Sequence, residues 1–260
     1  MYSVRKTTHW HGDTQANMMV VNIVITGLLI WQFGSDYAVI FCSSALLHLV
    51  IEVGLAASGI RKGEVSVYGW KLPRAVDSVV RATVEGPAFC VPSFFVADQV
   101  AAGNLALAIG GPAVVVGVLS AYMGLADRRD IARLEPGQQP LMSRRAMTKP
   151  GAVMLLALIN SLALGALFSI PAPYRAHAFT FVAAYALLVM LFYLINYNLG
   201  VRMVQIYDCE TKSFTTPGPL FQAAALTYDS AYEMGLLISA AYWVTFYLGL
   251  FQYATLGVAA

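Results

Sequence analysis

Charged residues are scarce in this chain. Only 12% of its 260 residues are Asp, Glu, Lys or Arg, against about 25% in soluble domains. Hydrophobic residues make up 58%, and the mean hydropathy is +0.66. A chain with so few polar groups cannot cover its apolar surface in water, which excludes an ordinary soluble protein. The sequence therefore predicts an integral membrane protein.

Cysteines and recognisable catalytic motifs are also few. Cys42, Cys90 and Cys209 are scattered without a CxxC spacing, which argues against a disulfide framework or a thiolate metal site. No Gly-rich phosphate loop, GxSxG or HExxH motif occurs. Of the four histidines only His48 lies deep in an apolar run, so a histidine-rich iron or copper site is excluded. We predict no metal and no nucleic-acid partner.

Long apolar runs divide the chain into seven predicted helical spans. A polar segment, 1–16, precedes them without a signal-peptide cleavage motif, so the first run is interpreted as an anchor. The apolar tail, 246–260, is shorter than the ~20 residues that a crossing needs. The fold class is a single all-α domain, a seven-helix membrane bundle. The spans are about 17–33, 36–58, 73–98, 104–125, 150–170, 176–204 and 219–245.

Basic residues set the predicted orientation. Lys and Arg concentrate in the N-terminal segment and in the loops after the second and fourth spans. Cytoplasmic loops carry such an excess, so we expect the N-terminus inside and, after seven crossings, the C-terminus outside. The predicted location is the cell (inner) membrane.

Several ionisable residues interrupt the apolar runs. Residues four apart share a helix face, so Asp77, Arg81 and Glu85 form one charged stripe on the third span. Helix rise places charges of the second, third and seventh spans at overlapping depths. The predicted interior polar network is His48, Glu52, Asp77, Arg81, Glu85, Asp229 and Glu233, with Asn196, Asn198, Tyr228 and Tyr232 as supporting residues.

This network contains more carboxyl groups than cations. Arginine stays protonated and must be paired, whereas the surplus acids must be protonated, hydrated or neutralised by a cation. Two interpretations stay open. The network either fixes helix packing alone, or it serves as a proton or ion relay, a ligand cavity or an acid-assisted enzyme site.

Three short motifs lie in or at the ends of these spans: Ser44-Ala-Leu-Leu-His48, Arg74-x-x-Asp77, and Asn196 followed by Val204-Gln205. Together with the seven predicted helices and the cytoplasmic N-terminus, they resemble the heliorhodopsins. The resemblance implies that Asp77 matches the counterion of a retinal Schiff base, and that His48 matches a residue of the surrounding polar pocket.

The departures from that family concern its chemistry. The family's retinal-linking lysine lies in the seventh helix, but no lysine follows Lys212 here. A Schiff base needs an amine, so covalent retinal and photoactivity are not expected. The family's long first extracellular loop is also missing.

A more local resemblance, confined to the first three spans, is to the emopamil-binding sterol isomerases. It rests on Thr26-Gly-Leu-Leu29, on His48-Leu-Val-Ile-Glu52, and on Asp77 and Glu85-Gly-Pro. In that group the matching carboxylates stabilise a carbocation, but the later Asn–Trp motif has no clear match here.

The resulting hypothesis is a non-photoactive, rhodopsin-like binding, sensory or accessory protein. An isomerase acting on a sterol or isoprenoid lipid, and a structural subunit of a larger membrane complex, are the alternatives. No cofactor is predicted, although a non-covalent lipid or isoprenoid ligand stays open. Expected partners are membrane lipids and either further copies of the chain or other subunits.

Overall fold

The chain folds mainly into long apolar helices. The structure is a computed structural model that describes residues 2–7, 12–57, 66–133, 142–145, 150–201, 204–208, 210–211, 213–222 and 238–252. Among these residues, the α-helices whose two ends are described are α1 (Gly12–Phe33), α2 (Asp36–Ala57), α3 (Arg74–Glu85), α4 (Pro87–Ala101), α5 (Leu105–Ile131), α6 (Pro150–Ala166), α7 (Ala172–Asn198) and α8 (Ala240–Tyr247).

Five helical segments among the described residues are long and apolar enough to cross a membrane. They are Asp13–Phe33, Asp36–Gly54, Arg74–Ala101, Leu105–Arg129 and Ala172–Asn198, and a shorter apolar helix covers Ala157–Ser169. Large apolar side chains such as Ile109, Val114 and Val118 on α5 are exposed, as expected for surfaces that face lipid. The expectation of a multi-pass helical membrane protein is therefore confirmed. Of the predicted seventh span, 219–245, only residues 219–222 and 238–245 are described.

The predicted third span corresponds to one helical segment, Arg74–Ala101, in which Gly86 separates α3 from α4 and itself keeps helical dihedral angles (φ −70°, ψ −65°). Pro87 has no N–H, so the carbonyl of Thr83 loses its usual helical partner. Asn22 on α1 replaces that bond, since its Nδ2 donates to the carbonyls of Thr83 and Val84 at 3.3 Å each. A buried side-chain amide thus satisfies the backbone that proline exposes.

Short strands modify the expected all-α fold. A four-stranded antiparallel sheet has the order β4-β1-β5-β6, formed by β1 (Tyr2–Thr7), β4 (Met142–Arg145), β5 (Val204–Asp208) and β6 (Ser213–Thr215). A hairpin of β2 (Ser66–Val67) and β3 (Trp70–Lys71) packs near α1. The sheet joins the N-terminal segment to the chain after α5 and after α7. These three regions therefore lie at one end of the bundle, hereafter the sheet end.

An aromatic core fills the opposite end of the bundle. Its most deeply buried large side chains include Tyr37, Phe94, Phe181, Tyr185 and Tyr242. Phe94 on α4 contacts Tyr37 edge-on at 5.4 Å and Phe181 at 6.2 Å between ring centroids. Such pairs add to the stabilisation that burial provides. This core joins α2, α4, α7 and α8, and it surrounds the polar group described below.

Candidate functional site

The predicted charged stripe begins with an ion pair within α3. Arg81 Nε lies 3.0 Å from both carboxylate oxygens of Asp77, and the two side chains are 11% and 14% exposed. The pair thus follows the i, i+4 spacing of the sequence. Arg81 therefore has a carboxylate partner on its own helix.

His48 and Glu52 are buried on α2, facing the third span. His48 Nδ1 lies 3.1 Å from the carbonyl oxygen of Ser44, and because a carbonyl only accepts, Nδ1 carries the proton. A Cβ atom added at Gly86 would lie 2.7 Å from His48 Nδ1 and from the Ser44 carbonyl oxygen. Glycine is therefore required where α2 contacts the junction of α3 and α4. Glu85, half-buried, lies next to this contact.

The remaining predicted residues divide into three groups. Asn196 is buried where α5 meets α7, and its Nδ2 donates to the Phe192 carbonyl at 2.8 Å. Asn198 is exposed and bonds its own helix at Leu194, so it does not join an interior network. Four further predicted residues lie outside the described residues: Asp229, Glu233, Tyr228 and Tyr232.

A second polar group, which the sequence did not suggest, lies in the aromatic core. We call Tyr37, Asp98, His177 and Tyr242 the quartet. The Tyr37 hydroxyl donates to Asp98 Oδ2 at 2.6 Å, and His177 Nε2 lies 3.1 Å from Asp98 Oδ1. His177 Nδ1 lies 2.8 Å from the Tyr242 hydroxyl. All four residues are at most 3% exposed. The quartet therefore links α2, α4, α7 and α8 by one chain of hydrogen bonds.

Helix ends bring the quartet together. Tyr37 lies in the first turn of α2, Asp98 in the last turn of α4, and His177 in the second turn of α7. The Phe94 ring meets the His177 imidazole edge-on at 5.0 Å. Apolar rings thus separate the polar chain from its surroundings. In this low-dielectric environment each hydrogen bond is stronger than in water, and each unmade one is costly.

The segment after α8 covers the quartet. Phe251 is 5% exposed and lies 5.3 Å from the Phe94 ring and 5.2 Å from the Tyr242 ring. The backbone N–H of Gln252 donates to Asp36 Oδ1 at 2.7 Å. Asp36 is itself buried, and it acts electrostatically on Tyr37 and Asp98. Among the described residues, His177 therefore bonds Asp98 and Tyr242, and Asp36 lies beyond them next to Tyr37 and Asp98.

The geometry defines what the quartet can do chemically. A carboxylate accepts, so His177 Nε2 donates to Asp98, and in a neutral imidazole Nδ1 then accepts from the Tyr242 hydroxyl. If the imidazole gains a proton, Nδ1 becomes a donor and the tyrosine oxygen accepts. The hydroxyl rotates and no hydrogen bond is lost. The quartet can therefore take up one proton without breaking its connections.

Other ligand chemistry has less support in the part of the chain that is described. No group of three or more His, Cys, Asp or Glu side chains there could hold a metal ion. A cavity of about 10 Å³ lies between α1, α4 and α5, and an open cleft of about 450 Å³ lies beside Arg128 and Gly200.

The quartet was missed because its polar members occur singly in the sequence. Asp98 and His177 are 79 positions apart, and each looks like a polar residue near a helix end. The only sequence evidence for their proximity was the predicted topology, which puts the end of the third span and the start of the sixth on one side of the membrane.

Comparison of the chain with protein-family models, with curated proteins and with solved structures finds no match in any of the three.

Proposed function

We propose that this chain is a non-photoactive, rhodopsin-like membrane protein that acts as a sensory or accessory component, with the quartet as its proton-sensing element. The observation that carries the proposal is the buried hydrogen-bonded chain from Tyr37 through Asp98 and His177 to Tyr242. His177 Nδ1 can either accept from the Tyr242 hydroxyl or donate to it, so the quartet can hold an added proton without losing a hydrogen bond. A charge gained where four helices meet would alter the electrostatics of their packing.

The proposal includes seven spans with the N-terminus in the cytoplasm. Pairing of β1 with β4 and β5 supports it, because that topology puts the N-terminus and the loops after the fourth and sixth spans on one side. In this orientation the quartet lies near the outer surface. The sensed protons then come from outside the cell, and Phe251 and Gln252 separate them from His177.

The absence of lysine after Lys212 supports a role without covalent retinal. The resemblance matches Asp77 with the counterion of a retinal Schiff base, but here the Asp77 carboxylate forms an ion pair with Arg81. Membrane lipids surround such a bundle, and the accessory role includes assembly with further copies of the chain or with other subunits.

A pH titration of the purified chain in lipid nanodiscs tests the sensor. Near-ultraviolet circular dichroism reports the packing of the aromatic core, and we expect a reversible change when the pH is lowered. His177→Asn cannot take up the proton and should abolish the change. His48→Asn removes a buried histidine outside the quartet and should retain it. An unchanged titration in His177→Asn refutes proton sensing by the quartet.

A further inference from the structure

A small cavity lies between α1, α4 and α5. It has a volume of about 10 Å³ and is lined on one side by Asn22 and Thr26 of α1, and on the other by Ala88 and Pro92 of α4. About 10–15 Å³ is enough for one water molecule, provided that two to four polar partners are available. Size alone therefore permits a single water.

Two acceptors border this cavity. Pro92 has no N–H, so the carbonyl of Ala88 lacks its usual partner four residues later. The Thr26 hydroxyl donates to the carbonyl of Asn22 at 2.7 Å, which leaves its oxygen able to accept. Thr26 and Ala88 both line the cavity, so each side of it has a residue with an acceptor for a water hydrogen. The Asn22 amide is already used, because it donates to Thr83 and Val84.

An independent observation lies two turns along the same face of α1. The buried residues Gln15, Met18, Asn22 and Thr26 follow one another at spacings of three or four, so they form one stripe. Gln15 is 0% exposed, and neither of its side-chain amide atoms has a hydrogen-bond partner among the described residues. A primary amide buried in this way is normally satisfied by ordered water when no protein group reaches it.

We propose that this face of α1 binds ordered internal water. One molecule bridges Thr26 to the Ala88 carbonyl, and a second bonds the amide of Gln15. We identify the ligand as water from the cavity size and from two acceptors, the Ala88 carbonyl that Pro92 leaves without a partner and the Thr26 hydroxyl. Both molecules lie along the seam between α1 and the third span. They supply hydrogen bonds that the Ala88 carbonyl and the Gln15 amide lack.

Thr26→Val tests the first water, because it keeps the shape of the side chain and removes the hydroxyl. Magnetic relaxation dispersion of ¹⁷O water counts long-lived internal molecules in the purified full-length chain, and the count should fall by about one. Thr180→Val is the matched control, since Thr180 makes the same type of bond to its own helix, at 2.8 Å to Ala176. The control should leave the count unchanged.

Thr26→Ser keeps the hydroxyl and should retain the water, which guards against a folding defect in Thr26→Val. If Thr26→Val keeps the wild-type water count and unfolds at the same temperature as Thr180→Val, the cavity is dry and the first site is refuted.

Gln15→Met tests the second water in the same way. It replaces the amide by an apolar group of similar length, and we expect the loss of about one long-lived water. An unchanged count together with a raised unfolding temperature shows that the amide was buried without water, which overturns the second site.

Discussion

Removing the Asp98 carboxyl group should strongly destabilise the bundle. Asp98→Ala leaves two donors in the aromatic core without an acceptor, the Tyr37 hydroxyl and His177 Nε2. An unsatisfied buried donor costs about 1–3 kcal/mol, so the two together should lower the free energy of unfolding by roughly 2–6 kcal/mol. The loss of the packed side chain adds to this figure. Asp98 is 2% exposed, so water cannot replace the missing acceptor without opening the core.

Asp98→Asn separates hydrogen bonding from charge. The amide oxygen can still accept from the Tyr37 hydroxyl. When the neutral imidazole carries its proton on Nδ1, the amide N–H₂ can donate to His177 Nε2, and Nδ1 donates to the Tyr242 hydroxyl. Every hydrogen bond is retained, and we expect a loss of only about 1–2 kcal/mol. The protonated imidazole is disfavoured in this variant, because Nε2–H would face the amide N–H₂. The pH response should therefore disappear although the fold remains.

Reversible unfolding in mixed micelles, followed by circular dichroism, measures these free energies. Asn198→Ala is the control, since Asn198 is exposed and bonds only its own helix, and it should stay within about 0.5 kcal/mol of the wild type. A loss below about 1 kcal/mol for Asp98→Ala contradicts the reasoning, because two buried donors cannot lose their acceptor at so small a cost.

Three further outcomes are expected. Gly86→Ala should lower the free energy of unfolding by about 1–3 kcal/mol, because its Cβ would lie 2.7 Å from the backbone oxygen of Ser44. Gly27→Ala is the control in the same unfolding assay. Because nothing surrounds the added atom there, it should be neutral or slightly stabilising. The purified chain mixed with all-trans-retinal should show no visible absorbance band that hydroxylamine bleaches, and such a band would contradict the assignment as non-photoactive. Incubation of the purified chain with sterol or isoprenoid extracts should give no isomerised product. If product forms, and if it no longer forms with Glu52→Gln and Glu85→Gln, the enzyme alternative is favoured.

The helical spans could be predicted from hydropathy because the membrane imposes a long apolar length on each one. The Asp77–Arg81 pair could also be predicted, since its partners are four residues apart on one helix. The bond from Asn22 to the Thr83 carbonyl could not be predicted, because Asn22 lies on another helix, 61 residues away in the sequence.

The sheet and the quartet were missed for different physical reasons. Val204-Gln-Ile-Tyr-Asp208 alternates apolar and polar residues as a strand does, but it lies in a loop between two spans, where hydropathy gives no signal. The quartet depends on tertiary contacts between helix ends. Asp98 ends the predicted third span, where an exposed carboxylate is common. Its burial depends on aromatic residues of other helices, which the sequence of its own helix does not reveal.

The quartet and the contact at Gly86 act on the same structural element. Asp98 bonds Tyr37 and His177 at one end of α4, and Gly86 lies against His48 at the other end, roughly 18 Å away along the axis. Pro87 and Pro92 each remove one regular helical bond in this stretch, and Asn22 replaces the first of them. A displacement of Asp98 should therefore be accommodated at these prolines, where bending breaks no further helical bond. Because Pro87 adjoins Gly86 and the helix that bears the Asp77–Arg81 pair, the two polar groups at opposite ends of the bundle are connected through one helical segment.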